Sequence, residues 1–552
     1  MFRVMLIAAL VLASASAARG PIEHEEWFQS QRSQPRFEGE IDKRPAIEDH
    51  VVGDTMSLWA FDMSGMPPEF ILLPATCRGV SEHSYVFVDN NQWNVNITQT
   101  DVDTILAHWD DHTPADPNHG VFYLDSAFFG APPDVFDNDE HIYIFYYDMG
   151  GYGDGYFGSY NQYPDTFVFQ YWSPPGFWHS NEIEMIYMST TSSGGPSSPL
   201  LLSVLAHEFE HLIHWGFDED EDTWVDEGCA EYAMVLYGYP DPTSPFTSNT
   251  DIDLTTWASG FADYSKVLLF FTYLAEQYAT PQLLPEIVRQ TGNSVDGVDA
   301  AFAALGYSDS VSSVLPDWAV ANYLDDTTLA GGRYGYVALD VGTPSPAASV
   351  SSFPWNSSLS LNAWAGEYVM FWWDTGAVDI SFDGDDGATY HNRVLKIDFD
   401  DVYPTEVIET PLGAGNTWSG TVPGLSDPFE RIVHVTARNS SSGGTGYAMT
   451  ADLITSVTGD DAVALPNSIS ISASPNPFNP TTVFAFDLPR RGRIHLDVYD
   501  ILGRIVASVA DGEFEAGSHT VRWDAGGLAS GVYTARLSTG AATTTTRAVL
   551  LK

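Results

Sequence analysis

Between Ser198 and Gly216 the chain carries a strongly apolar run, with Leu201, Leu202, Val204, Leu205, Phe209, Leu212 and Ile213. Ser198 suits an N-cap, Pro199 suits the first helical position, and Gly216 can end the helix. So apolar a helix belongs in a core, yet it also carries His207-Glu208-Phe209-Glu210-His211. Two histidines and a glutamate inside a core are costly unless they are paired or bound to something. His207 and His211 stand at i and i+4, one above the other on one face, so both rings reach one ion at about 2.0–2.1 Å. After the second histidine, Asp226-Glu227-Gly228 follows on a second helix that starts near Thr223 and is stopped by Gly238 and Pro240. Glu227 adds an oxygen donor. Two imidazoles and a carboxylate describe a three-ligand zinc site with a fourth position open to water.

The chemistry follows from the neighbours. Glu208, next to the first ligand, points beside the metal and is the expected general base. A metal-bound water of lowered pKa gives it a proton, which it passes on to a leaving amine. Glu231 lies one helical turn beyond Glu227 and is expected to hold a ligand imidazole in its tautomer by a hydrogen bond, with a solvated acid on the helix surface as the alternative. His214 stands seven residues beyond His207, about 10.5 Å along the axis, too far to join His207 and His211 on one ion from a straight helix. It reads as a hydrogen-bonded histidine at the helix end. A third helix, about Asp263 to Tyr278, ends before Pro281.

The rest of the chain bounds the setting. There are 74 acids against 22 bases, a formal charge of −52 over 552 residues. That excess argues against nucleic acid and anionic membranes as partners and reads as a solvated acidic surface. Residues 1–18 have the form of a secretory signal peptide: Arg3, the apolar stretch Val4–Ala13, and small residues for cleavage after Ala17 or Ala18. No other stretch is long and apolar enough to span a bilayer, so an exported protein without a transmembrane segment is expected. The two cysteines, Cys77 and Cys229, are too few for a disulfide framework. One bridge and two buried thiols both remain open. Phe136-Asp137-Asn138-Asp139-Glu140 alternates oxygen ligands of the kind calcium prefers, but lacks the full spacing of a calcium loop; it reads as a solvated acidic turn, with calcium binding as the alternative.

Residues 19–80 are punctuated by proline and charge and read as an N-terminal segment or propeptide. From Tyr85 the pattern sharpens, with strands at Ile142–Tyr146 and Ile183–Met188 around the glycine-rich loop Gly150–Gly155. Residues 81–345 form an α+β catalytic unit. Beyond a Pro/Ser-rich joint at Pro344–Ser352, residues 353–457 alternate apolar and polar with Gly/Asp turns, the pattern of a β-sandwich. Residues 466–552 form a second β unit, with strands Val483–Leu488, Ile494–Tyr499, Thr520–Trp523, Val532–Leu537 and Arg547–Leu551. The expected architecture is multidomain: a zincin-like α+β domain followed by two all-β, Ig-like sandwiches.

On these residues the chain resembles the gluzincins, zinc peptidases in which a glutamate completes a two-histidine site. Trp224–Tyr232 is similar to the Trp-Leu-Asn-Glu-Gly-Phe-Ala-Glu-Tyr motif of the aminopeptidase and leukotriene-hydrolase family, whose zinc-binding glutamate maps onto Glu227. Asp226 stands where that motif has asparagine, and the spacer from His211 is a few residues shorter. Tyr264-Ser265-Lys266 resembles that family's Tyr-Glu-Lys-Gly, which implies that Tyr264 stabilises the oxyanion. The Gly-x-Met-Glu-Asn element that reads a free amino terminus is not found, which favours an endopeptidase over an exopeptidase. The wider context looks like secreted bacterial metallopeptidases of the hyicolysin type, and the strand at Glu182–Met188 would then bind an extended peptide substrate by edge pairing. A non-catalytic surface or adhesion protein on the same scaffold is the rival reading; the intact Glu208 speaks against it. Ser474–Pro480, Val498–Arg504, Trp523-Asp524 and Ser530–Tyr533 resemble type IX secretion sorting domains and the related FlgD Ig-like domain. That resemblance implies the bacterial secretion machinery as a partner and a secreted or cell-surface destination.

Overall fold

The computed structural model describes residues 34–37, 39, 41, 43, 49–65, 67–150, 153–372, 377–397, 405–423, 431–440, 445–454, 469–488, 492–514, 517–539 and 543–552. The expected signal peptide, residues 1–18, lies outside them. The chain divides into two compact units, residues 1–453 and 454–552. It is multidomain, built of several β sheets and a set of helices.

The first unit opens with a six-stranded mixed sheet in the order β1-β2-β3-β4-β6-β5. The strands are β1 (Thr55–Asp62), β2 (Glu69–Val80), β3 (Ser84–Asp89), β4 (Ile142–Tyr147), β5 (Gly155–Phe157) and β6 (Met185–Ser189). β3, β4 and β6 run parallel, while β5 returns antiparallel to β6. Alternate side chains go to opposite faces. Val86, Val88, Ile144, Tyr146, Ile186 and Met188 enter the helical core, whereas Tyr85, Phe87, Tyr143, Phe145 and Tyr187 enter an aromatic core on the other side.

The helical core gathers α1 (Gln99–Leu106), α2 (Val121–Phe128), α3 (Pro199–Phe217), α4 (Thr223–Tyr237), α5 (Phe261–Gln277) and α6 (Val311–Leu324). Ser198 Oγ caps α3 by accepting from the Leu201 amide at 3.4 Å. The helix runs through Gly216 to Phe217 instead of stopping there. Gly238 ends α4 with φ +95°, a left-handed cap that glycine adopts without strain. α6 then packs on one of a pair of further sheets, through Ala319, Val320 and Tyr323 against Tyr368, Leu395 and Val433.

That pair is β13-β10-β15-β8 and β12-β11-β14-β9-β7. Its strands are β7 (Ala348–Val350), β8 (Trp355–Ser360), β9 (Ala365–Phe371), β10 (Ala377–Gly384), β11 (Tyr390–Ile397), β12 (Glu406–Glu409), β13 (Thr417–Pro423), β14 (Arg431–Arg438) and β15 (Gly446–Ile454). Val378, Ile380, Phe382 and Met449 from one sheet share a core with Val369, Phe371, Val394 and Ile432 from the other.

Three sequence expectations change. Residues 55–80, set apart as an N-terminal segment or propeptide, supply β1 and β2 to the same sheet as the strands beyond residue 81, with eight residue pairs between Thr55↔Thr76 and Asp62↔Glu69. The Pro/Ser-rich joint contains β7, which pairs in parallel with β9. The glycine-rich loop runs into β5, and this strand, not β6, forms the sheet edge.

The second unit has sheets β16-β17-β20 and β19-β18-β21-β22, from β16 (Ser470–Ser474), β17 (Thr481–Leu488), β18 (Gly492–Tyr499), β19 (Ile505–Phe514), β20 (Gly517–Asp524), β21 (Gly531–Thr539) and β22 (Thr543–Leu550). Phe484, Phe486 and Trp523 meet Leu496, Val498, Leu537 and Leu550 between them. Its sequence motifs have plain structural work. Asp500 accepts from the Leu502 and Arg504 amides and pairs with the Arg504 guanidinium at 2.7 Å. Asn476 clasps β22, donating to Arg547 O and accepting from the Val549 amide.

Candidate metal centre

α3 and α4 pack side by side, and α5 closes on α4. The closeness of the second contact depends on Gly228: a Cβ there would sit 2.2 Å from Phe271 Cδ2. The neighbouring Glu227 is thereby held deep in the interhelical seam, 4% exposed.

The structure brings His207, His211 and Glu227 to one point. His207 Nε2 and His211 Nε2 are 3.2 Å apart, and Glu227 Oε2 lies 3.3 Å from the first and 3.7 Å from the second. A circle through these three atoms has a radius of about 2.0 Å, the length of a zinc–nitrogen or zinc–oxygen bond. Each imidazole has a carboxylate behind it. Glu231 Oε1 is 3.5 Å from His207 Nδ1, and Asp226 Oδ1 is 3.1 Å from His211 Nδ1. A carboxylate at Nδ1 fixes the tautomer that turns the Nε2 lone pair inward.

The charge balance can be compared with what a cation would need. Glu208, Glu210, Asp226, Glu227 and Glu231 crowd two helices, while His207 and His211 supply only neutral donors when unprotonated. Burial alone would pull the His211 imidazole down, but Asp226, Glu227 and Glu208 together push it up to about 10. A proton there stands in for missing positive charge. The donor set of two nitrogens and one oxygen, its spacing and this electrostatic demand all fit a divalent zinc ion.

Glu208 is buried beside His207. β5 passes over it so closely that a Cβ on Gly155 would lie 3.1 Å from Glu208 Cγ. Tyr264, in the first turn of α5, is 6.4 Å from His207 between ring centroids and packs edge-on to Trp257 at 4.9 Å. Two residues on, Lys266 is fully buried; it pairs with Asp263 and donates to the Asp253 carbonyl at 2.8 Å, so it anchors the loop that precedes α5. His214 stays out of the triad: its Nδ1 lies 3.4 Å from Asp226 Oδ1 and 3.6 Å from Glu210 Oε1. Cys77 and Cys229 are free buried thiols, in the aromatic and helical cores respectively, so the open question of a bridge is answered by two separate thiols. Of the acidic turn Phe136–Glu140, Asp137 lies with Asp134 and Glu184, while Asp139 pairs with His141 and accepts from the Tyr85 hydroxyl.

Sequence reasoning missed β5 as the strand beside Glu208, because three residues opening on glycine carry no period. It also passed over Asp226 as an imidazole partner and over the position of Trp257. The departure from asparagine at Asp226 was the available signal for the first; Trp257 had none.

Residues 472–551 match the family described as a secretion system C-terminal sorting domain. The second unit is thus a type IX sorting domain, which directs the protein through that machinery to the cell surface or extracellular space. Among the described residues, no helix is long and apolar enough to cross a membrane. No curated protein matches the chain. Similar solved structures include a Faecalibacterium prausnitzii beta-glucuronidase, with 11% identity over 35% of this chain and 38% of that one, TM-score 0.12. They also include the Endo-D glycoside hydrolase domain from Streptococcus pneumoniae R6, with 10% identity over 35% and 32%, TM-score 0.14. A third is dimeric latent PorU from Porphyromonas gingivalis, with 9% identity over 32% and 30%, TM-score 0.13. The chain spans about a third of the length of these proteins, and likenesses this slight constrain neither its fold nor its activity.

Proposed function

We propose that the protein is an exported zinc-dependent endopeptidase of the gluzincin type, with a zincin-like catalytic region followed by two Ig-like sandwiches. The observation that carries this reading is the convergence of His207 Nε2, His211 Nε2 and Glu227 Oε2 on one bond-length circle, with Glu208 buried alongside. Bound there, a zinc ion supplies Lewis acidity and a water of lowered pKa. Glu208 accepts the proton of the attacking water and returns it to the leaving amine. Tyr264 donates its hydroxyl to the carbonyl oxygen as it becomes anionic. Glu231 and Asp226 keep the Nδ1 protons of His207 and His211 in place, so neither ring can turn. β5, as the sheet edge above Glu208, offers backbone groups to an extended protein or peptide substrate.

The test is incubation of the purified mature protein with casein, with and without a zinc chelator. Cleavage that stops with the chelator and returns with added zinc supports the proposal. Chelator-insensitive cleavage, or none at all, rejects it in favour of a binding protein. Peptides with blocked amino termini separate an endopeptidase, which cuts them, from an aminopeptidase, which does not.

A further inference from the structure

α3 and α4 each carry a second set of donors, and the two sets meet. On α3, Glu210 and His214 repeat the i, i+4 spacing of His207 and His211, turned by about 60° around the axis, away from Glu208. On α4, Asp226 and Cys229 lie on the side turned away from Glu227 and Glu231. The result is a cluster of Glu210, His214 and Cys229, all buried, with one donor atom from each within 4.8 Å of the others.

Glu210 is the telling member. It is 0% exposed, and neither of its carboxylate oxygens accepts a hydrogen bond among the described residues. Its ion-pair contact is His214 Nδ1 at 3.6 Å, beyond hydrogen-bond length. Asp125, on α2 across the α3–α4 pair, is a second carboxylate at 0% exposure with the same lack of hydrogen bonds. No lysine or arginine pairs with either among the described ion pairs. Two ionised carboxylates this deeply buried are costly unless something positive lies among them.

We propose that Glu210, His214 and Cys229 bind a second divalent ion, of the zinc class, separate from the one between His207, His211 and Glu227. Carboxylate oxygen, imidazole nitrogen and thiolate sulfur together suit zinc and not calcium or magnesium, which take oxygen alone. On binding, Cys229 gives up its thiol proton to solvent and the ion neutralises Glu210. Asp226, within 3.4 Å of His214 Nδ1 and 3.1 Å of His211 Nδ1, joins the two sites. The second ion thereby pins α3 to α4 at the depth where the first set must converge.

The full chain is loaded with zinc or with cobalt(II), freed of excess by dialysis, and read by elemental analysis and absorption. The expected result is two metal equivalents per chain, and in the cobalt form a near-ultraviolet thiolate-to-metal charge-transfer band. The first site holds no sulfur and cannot produce that band. Cys229→Ser is expected to abolish the band and lower the content to one equivalent; Glu210→Gln serves as the second variant if the first fails to fold. One equivalent with the band means that the metal sits here and that the first site is the one misread. One equivalent without the band, or a band that survives in Cys229→Ser, overturns the proposal.

Discussion

One carboxylate oxygen, Asp226 Oδ1, faces both His211 Nδ1 at 3.1 Å and His214 Nδ1 at 3.4 Å. An amide in its place could carry no charge to these rings, so the acid at 226 belongs to the electrostatics of the centre. The roles of its neighbours separate by experiment. Glu208→Gln removes the proposed proton acceptor without touching the three candidate donors; zinc content should be unchanged while casein turnover falls by about 10²–10⁴-fold. Activity near wild type in that variant would mean that another group moves the proton. Glu227→Ala removes one donor of three, and elemental analysis should find the metal at this site lost. Tyr264→Phe keeps the ring against Trp257 and deletes only the hydroxyl. Turnover should drop about 10²-fold with little change in KM; a change in KM alone would make Tyr264 a binding residue.

The α4–α5 contact is where packing bears on the candidate site. Gly228→Ala drives a methyl into Phe271, which would lie 2.2 Å away. We expect a loss of about 1–3 kcal/mol in thermal or chemical unfolding and weaker zinc retention, since Glu227 is the adjacent residue. Elsewhere, burial raises the Glu367 carboxyl in β9 to about 7 from its ordinary 4.5, against the neighbouring Tyr447 hydroxyl, which lowers it. An acid whose folded pKa lies above its unfolded one takes up a proton on folding. Its contribution is therefore intact below the unfolded value and is lost as pH rises from 4.5 to about 7. Glu367→Gln should remove this dependence, leaving the variant more stable than wild type by about 1–3 kcal/mol at pH 8 but not at pH 4; parallel melting curves across that range would contradict it. The same elements show what a sequence can reveal. His207, His211 and Glu208 are legible because one helical turn fixes their relation, and Glu227 because its flanks, from Trp224 to Tyr232, mark a helix start. β1 and β2 were obscured by mixed exposure on both faces and by Pro74, which lies just beyond the stretch of β2 paired with β3. β5 was hidden by its length of three residues. The Glu210–His214–Cys229 cluster could not be read, because it depends on how α3 and α4 are rotated against each other.

Taken as one molecule, the chain couples a buried cluster of candidate metal ligands to an export address and carries a formal charge of −52. The chain divides into its two compact units between residues 453 and 454, and each has its own core. Removal of residues 466–552 should leave casein-cleaving activity in the first unit and abolish release to the cell surface or medium; fractionation of the producing cells measures this, and normal export of the shortened chain would contradict the assignment. What most directly tests the metal centre is anomalous diffraction at the zinc edge from crystals of the full chain. A peak about 2.0–2.1 Å from His207 Nε2, His211 Nε2 and Glu227 Oε2, with solvent at a fourth position facing Glu208, is the expected result. No peak there under saturating zinc, with Glu227 turned out of the seam, would contradict it.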